Sequence, residues 1–296
     1  MTAWGSRATG RASSAVGTVV LLVSATAFVV PVIWLLLAPT HSRARLTAGS
    51  SLSFGSLDDL RRAWANLMSY QDGQVLRWLL NSVGYSAGAV LLALVMAAPA
   101  GYALAMYDFP GRRAALNATL LTMIIPQAAL ILPLYLEMVQ FGLVGTVWSV
   151  ILPSAFFPFG VYLSYLYYND SVPRSLLEAA RMDGAGELRI FWSLGLPLGR
   201  PALGLIGFFC FVQAWNQYFL PFVMFSSDQL YNLQLGLQTL ISSTGAVNPS
   251  YGATTLPIYQ PEAALAAILT VAPTLVVFVV AQRYLRAGQV RGAVKG

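Results

Sequence analysis

The sequence predicts an all-α membrane protein with six transmembrane helices, and three observations carry that expectation. Hydrophobic residues make up 57% of 296 residues and charged ones only 9%, whereas a soluble domain carries about a quarter charged residues. Six apolar runs each reach the roughly 20 residues needed to cross a hydrocarbon core about 30 Å thick. The remaining charges lie between those runs, apart from Arg283 at the end of the last one.

The runs are Ala15–Ala38, Ser82–Met106, Ala115–Leu136, Thr146–Tyr167, Pro201–Phe225 and Ala263–Tyr284. This divides the chain into a tail at 1–14, a six-span domain at 15–284 and a second tail at 285–296. The first run follows Arg7 and Arg11 and exceeds the 7–15 apolar residues of a signal peptide, so it reads as an uncleaved span. The segment 39–81 contains Leu57–Trp64, LDDLRRAW, a candidate interfacial helix. The segment 226–262 is polar, with Asn232, Gln234, Gln238 and Asn248. Its length suits a functional loop, a surface for an extracytoplasmic partner, better than a simple turn.

Arginine sets the orientation. With the N-terminus inside, the inner segments hold Arg7, Arg11, Arg112, Arg113, Arg174, Arg181, Arg189, Arg200, Arg283, Arg286, Arg291 and Lys295, and the outer ones hold Arg43, Arg45, Arg61, Arg62 and Arg77. Twelve basic residues against five place both termini in the cytoplasm. The same placement accounts for the net charge of +6 without nucleic acid.

Several chemistries are excluded or left without residues. Lys295 is the only lysine and stands at the chain end, so no Walker A loop can form. A single cysteine, Cys210, and a single histidine, His41, leave no disulfide and no Cys/His metal cluster. The spans are almost free of ionisable residues, Glu137 marking the outer end of the third. Ion-coupled carriers need titratable groups at depth, so energy for transport would come from another subunit.

The spans instead carry small residues, prolines and amides. Gly84-x-x-x-Gly88 fits close helix packing. Pro99, Pro126, Pro133, Pro158 and Pro221 are positioned to interrupt or end helices. Gln213, Trp215, Asn216, Gln217 and Tyr218 concentrate polar and aromatic groups in the fifth run. Buried amides need partners: either they bond other helices, or they line a passage for a hydroxyl-rich solute.

Between the fourth and fifth spans, the segment 169–200 contains EAARMDGAGELRIFWSLGLP. Ser175 and Glu178 have the spacing of a capping box, and Gly184 is placed to end the helix in a left-handed turn. A second short helix is expected around Gly186–Leu194, with Pro197 closing the element. Alanines give a partner close approach, and Ile190, Phe191 and Trp192 can fasten the element to its own bundle.

Glu178-Ala179-Ala180, Gly184 and Leu194-Gly195-Leu196-Pro197 resemble the EAA signature of binding-protein-dependent ABC importer permeases, with Leu194 where isoleucine is usual. Asn81-Ser82, Tyr107–Arg112, Ile125-Pro126, Pro133-Leu-Tyr135, Gly142-Leu143, Thr146, Ala214-Trp215-Asn216 and the tail Gly292–Gly296 extend the likeness to the carbohydrate-uptake, maltose MalG-like type. The resemblance implies a MetI-like bundle in the bacterial inner membrane, with Glu178–Gly184 as a cytoplasmic coupling helix. It implies a homologous second permease, an ATPase dimer that binds ATP and Mg, and an extracytoplasmic solute-binding protein. This chain would then hold no cofactor and catalyse no bond chemistry. The solute would be a sugar, or alternatively a polyol or glycerol phosphate.

Overall fold

The computed structural model describes residues 5–49, 52–243 and 258–292. Asn248 with the Ser/Thr/Gly/Pro-rich stretch around it, Lys295 and most of the Gly292–Gly296 tail lie outside the described residues. Every regular element among the described residues is helical. The chain divides into two compact units, Met1–Asp72 with Leu240–Leu269, and Gly73–Thr239 with Thr270–Gly296.

The first unit opens with α1 (Gly5–Leu37), whose side chains from Gly17 to Leu36 are almost all exposed, as on a helix that faces lipid. A tight turn at Ala38–Thr40 leads to α2 (Arg43–Thr47) and α3 (Leu57–Met68). The helix expected at Leu57–Trp64 is present and one turn longer. Ser56 starts it, its side chain accepting from the Asp59 amide at 3.1 Å, and Asp58 and Asp59 stand in its first turn where the helix dipole favours them. Ala63 and Leu67 are its buried face. His41 is buried, and its Nε2 donates to the Ser53 carbonyl at 2.7 Å. Glu262, also buried, accepts from the Tyr259 amide and from Asn66 Nδ2, each at 2.9 Å.

The second unit is organised around α4 (Gln74–Met106). At 1.5 Å per residue its 33 residues extend about 50 Å, well beyond a hydrocarbon core. It starts eight residues before the expected Ser82, so Arg77 belongs to its first turns and not to a loop. Ala89, Ala93, Ala97, Gly101 and Ala105 recur every fourth residue, and all are buried. This small-residue ridge, one position round from Gly84 and Gly88, is the packing surface. A Cβ on Gly101 would lie 2.3 Å from the Ser164 Cβ, whereas one on Gly84 would meet nothing within 4 Å and one on Gly88 would only press on Ile151.

The remaining helices of this unit are α5 (Arg112–Ile124), α6 (Gln127–Gln140), α7 (Trp148–Ala155), α8 (Pro158–Ser171), α9 (Arg174–Met182), α10 (Glu187–Ile190), α11 (Leu196–Leu198), α12 (Arg200–Trp215) and α13 (Phe219–Met224), with the part of α14 (Leu233–Ser242) up to Thr239 and the part of α15 (Gln260–Gly292) from Thr270. Helices α7, α8 and α12 pack on α4, and α5 on α8.

Three of the six expected spans are not single helices, the fourth being divided at Phe156–Phe157 between α7 and α8. The third bends by 107° between α5 and α6. Pro126 forces the preceding Ile125 into extended backbone (φ −68°, ψ 123°). The fifth ends at Trp215 and resumes as α13 after the break at Asn216–Tyr218. Among the described residues, four helices are long and apolar enough to cross a membrane, or up to six if the bent pairs Arg112–Ile124 with Gln127–Gln140 and Glu187–Leu198 with Arg200–Trp215 each count as one span. Pro158 begins α8. Pro99 and Pro133 stay inside continuous helices, and Pro221 lies within α13, so these three do not break or end helices.

The segment after α13 is fastened to the first turns of α4. Gln74 Nε2 and Trp78 Nε1 both donate to the Asp228 carbonyl at 2.8 Å. Asn81 Nδ2 reaches the carbonyls of Gln229 and Tyr231, Tyr85 donates to Leu230, and Ser82 accepts from the Leu233 amide. Asn232 caps α14, its Oδ1 accepting from Leu235 N at 3.1 Å. This part of the expected loop is therefore ordered by side-chain bonds to backbone, which a polarity reading of the sequence does not register.

Replacing Gly101 with valine overpacks the α4–α8 contact and costs about 1–3 kcal/mol. We expect a lower thermal midpoint in detergent for that variant and an unchanged one for Gly84→Ala, measured by scanning fluorimetry.

Candidate functional site

Two places in the second unit bring functional side chains together. The first is the turn between α9 and α12. Helix α9 begins two residues earlier than the capping-box reading requires: Pro173 is its cap, Ser175 is inside the first turn, and neither makes a side-chain cap bond. The expected Ser175–Glu178 box is not formed, because the proline fixes the entry to the helix. Glu178 is exposed, and among the described residues its carboxylate has no hydrogen-bond or ion-pair partner.

The end of α9 matches expectation. Gly184 is left-handed (φ +78°), its N–H donates to Arg181 O at 2.9 Å, and the Ala185 N–H donates to Ala180 O at 3.0 Å. This is the paired bonding of a Schellman turn. Ala179 is exposed and Ala180 half-buried. Leu177 and Ile190 anchor the element beside Tyr102 and Tyr168. Trp192 does not anchor it and is 59% exposed, as are Met182 (88%) and Leu188 (72%). The exposed side thus combines the free carboxylates of Glu178 and Asp183, a small residue and apolar side chains.

The inner face is held by charge and by glycine. Arg181 Nε donates to Glu187 at 2.7 Å, and Tyr107 OH donates to the same carboxylate at 2.6 Å. Arg181 first, then Tyr107, holds the Glu187 carboxyl below its ordinary range. Burial, and then Glu187, push the Tyr107 phenol up. Asp108 pairs with Arg112 and, at 3.4 Å, with Arg174, which also donates to the Ala105 carbonyl at 3.2 Å. Gly195 and Gly199 have no room for a side chain, since a Cβ would lie 2.9 Å from Tyr102 and 2.1 Å from Tyr168 OH respectively. Tyr168 OH donates to the Gly195 carbonyl at 3.1 Å. A turn of π-helix at Phe191–Gly195 leads to half-buried Leu196 and exposed Pro197. Pro197 lies inside α11, and the chain turns by 73° into α12 at Gly199.

The second place is a cavity of about 840 Å³ walled by α5, α6, α8, α12 and the breaks beside them. Gln127, Glu137, Gln213 and Gln217 are polar wall residues, alongside Phe141, Phe156, Phe157 and Phe159. Of the five candidate passage residues, Gln213 and Gln217 line this cavity. Trp215 is buried elsewhere, its Nε1 donating to the Thr270 carbonyl at 2.9 Å. Asn216 bonds back to Val212 O at 2.8 Å, and Tyr218 stacks on Phe222. Gln127 was not singled out in the sequence, since nothing distinguishes it from any helix-start polar residue until the bend brings it to the cavity. No group of three or more His, Cys, Asp or Glu residues is placed to hold a metal among the described residues.

The family described as binding-protein-dependent transport system inner membrane component matches residues 89–290. The chain belongs to this family. It is a permease subunit of an ABC importer. Among its relatives is the arabinooligosaccharides transport system permease protein AraQ of Halalkalibacterium halodurans, 35% identical over 220 residues, 74% of each chain. Another is the diacetylchitobiose uptake system permease protein NgcG of Streptomyces coelicolor, 30% identical over 275 residues, 92% of this chain and 86% of that one. In three dimensions the permease is similar to a chain from the crystal structure of a bacterial ABC transporter involved in the import of the acidic polysaccharide alginate. That similarity has a TM-score of 0.79 at 27% identity, covering 93% of this permease and 97% of that chain.

The Glu187 clamp has a defined pH response. A carboxyl held low in the folded state contributes its stabilisation fully above the ordinary carboxylate pKa and loses it as pH falls through the depressed value. Protection of the Arg181–Glu187 backbone amides against hydrogen exchange, taken relative to the intrinsic rate at each pH, should therefore fall on acidification from about pH 5 to about pH 3. Tyr107→Phe should move that loss to higher pH.

Proposed function

We propose that this permease forms half of a translocation passage for a neutral sugar or oligosaccharide and is driven by ATPase subunits that dock on α9. The observation that carries the solute class is the state of the cavity wall. The side chains of Gln127, Glu137, Gln213 and Gln217 have no hydrogen-bond partner within the described chain, yet all reach one space. Asn216 and Trp215, whose side-chain N–H groups donate to backbone carbonyls, lie outside it. Polar groups at membrane depth need partners, and water and a hydroxyl-rich solute supply them in turn. The phenylalanines offer flat apolar faces to the C–H side of a sugar ring. The named substrates of AraQ and NgcG are oligosaccharides, which supports the same class. Glycerol phosphate would call for a basic wall, and none of the wall residues is arginine or lysine.

The energy enters at the other site. In this reading α9 is the coupling helix, Glu178 meets a basic group of the ATPase, and Met182 and Leu188 enter its groove. ATP and Mg are bound by the ATPase dimer. Both termini and α9 face the cytoplasm of the bacterial inner membrane, in keeping with the arginine distribution. A homologous second permease completes the passage, and an extracytoplasmic binding protein delivers the solute. Closure of the ATPase dimer pushes on α9, and the Arg181–Glu187–Tyr107 clamp and the Arg174–Asp108 pair carry that displacement to the end of α4.

Purification in mild detergent followed by mass spectrometry should recover a second permease, an ATPase and a binding protein with this chain. Recovery of the chain alone, stable and monodisperse, would sink the assignment of partners. Glu178→Ala removes a charge-assisted contact of about 1.5–3 kcal/mol, so uptake in cells should fall by roughly tenfold or more while the bundle stays folded. Gly184→Pro, incompatible with φ +78° and with the N–H that Gly184 donates, should do the same. Unchanged uptake in both variants would remove the coupling role.

A further inference from the structure

We propose that Glu137 is a charge-selecting residue of the cavity, making this half of the passage favour neutral or cationic solutes over anionic ones. The inference deepens the sugar reading above and rests on it for the identity of the cavity as the passage. Glu137 is the only ionisable side chain in the cavity wall among the described residues. Its position is unfavourable on local grounds. It occupies the last turn of α6, where the helix dipole opposes a negative charge, and its wall neighbours include Leu134, Met138 and Phe141. No arginine bonds it within the described chain. Glu137 is exposed at the outer end of the expected span, and a carboxylate there is tolerable where it faces a water-filled space.

The consequence for a passing solute follows from the wall. The carboxylate accepts bonds from sugar hydroxyls alongside the amides of Gln127, Gln213 and Gln217. With no basic residue in that wall it repels a uronate or a phosphate, and the low-dielectric phenylalanines around it strengthen the repulsion. Glu137 sits at the far end of α6, the helix that leaves the 107° bend at Pro126, so the charge is held on a regular element.

Thiol labelling tests the field without knowledge of the solute. Cys210→Ala removes the chain's only cysteine, and Gln213→Cys or Gln217→Cys then places a thiol in the wall. The assembled complex, isolated with its partners in lipid nanodiscs, is treated with a cationic and an anionic methanethiosulfonate of similar size. Modification of this chain is read by mass spectrometry, and the two rates are each normalised to a free thiol. Because the two rates are compared on one thiol, any change in that thiol's own ionisation cancels. We expect the cationic reagent to be favoured by about tenfold, and Glu137→Gln to bring the ratio close to one. A ratio that Glu137→Gln leaves unchanged would overturn the proposal while leaving the sugar assignment standing. Absence of labelling at both positions, with and without ATP, would overturn it by showing that solutes do not reach this wall. Failure of the sugar reading has a different mark: the charge preference stays intact, but cells carrying the complex take up no neutral oligosaccharide.

Discussion

The close approach of α4 to its neighbours is the constraint on which the second unit depends. Inside a bilayer lipid tails are as apolar as leucine, so helices gain little from hydrophobic burial and must gain from contact. The ridge from Ala89 to Ala105 supplies that contact, and Gly101 against Ser164 is its tightest point. With α4 in place, its two ends become attachment sites. One end fastens the Asp228–Leu233 segment through Gln74, Trp78, Asn81, Ser82 and Tyr85. The other meets the α9–α11 turn through Tyr107, Asp108 and Arg174.

The two ends use different chemistry for a physical reason. At the Asp228 end, neutral side chains donate to backbone carbonyls, which satisfies an irregular segment without introducing charge. At the Tyr107 end, the contacts are ion pairs and a phenol-to-carboxylate bond on exposed groups. Exposed pairs hold loosely and exchange readily, so they position an element without freezing it. An element that relays a push from a partner, as proposed for α9, benefits from being attached in this manner. Its firm contacts, Leu177 and Ile190, are few and sit against the tyrosine cluster.

Much of the helix count was legible in the sequence because apolar runs and their length are a direct consequence of bilayer thickness. The family resemblance was legible from Glu178, Gly184 and Pro197 at fixed spacing, and the left-handed Gly184 turn followed from glycine alone. What the sequence concealed were the relations between runs. The Gly84–Gly88 spacing pointed one position away from the true ridge, since small residues at every fourth place look alike until a neighbour is known. Ser175 and Glu178 had the right spacing for a capping box, but Pro173 moved the helix start. Among the fifth-run polar residues, only backbone geometry separates Gln213 and Gln217, which face the cavity, from Asn216 and Trp215, which bond to carbonyls.

In the proposed reading, that separation also explains how a chain with so few charges would serve a polar solute. An amide that bonds a carbonyl of its own helix, as Asn216 Nδ2 does, is held against that helix and does not reach the cavity. The glutamines of the cavity are left unsatisfied by the fold, and the two bends, at Pro126 and after Trp215, are what bring them to the same space. A straight third or fifth helix would turn these side chains toward lipid or toward a neighbouring helix, where they would need partners from the protein. The breaks are therefore not defects in the spans. They convert two apolar segments into a wall whose few polar groups remain available to whatever passes.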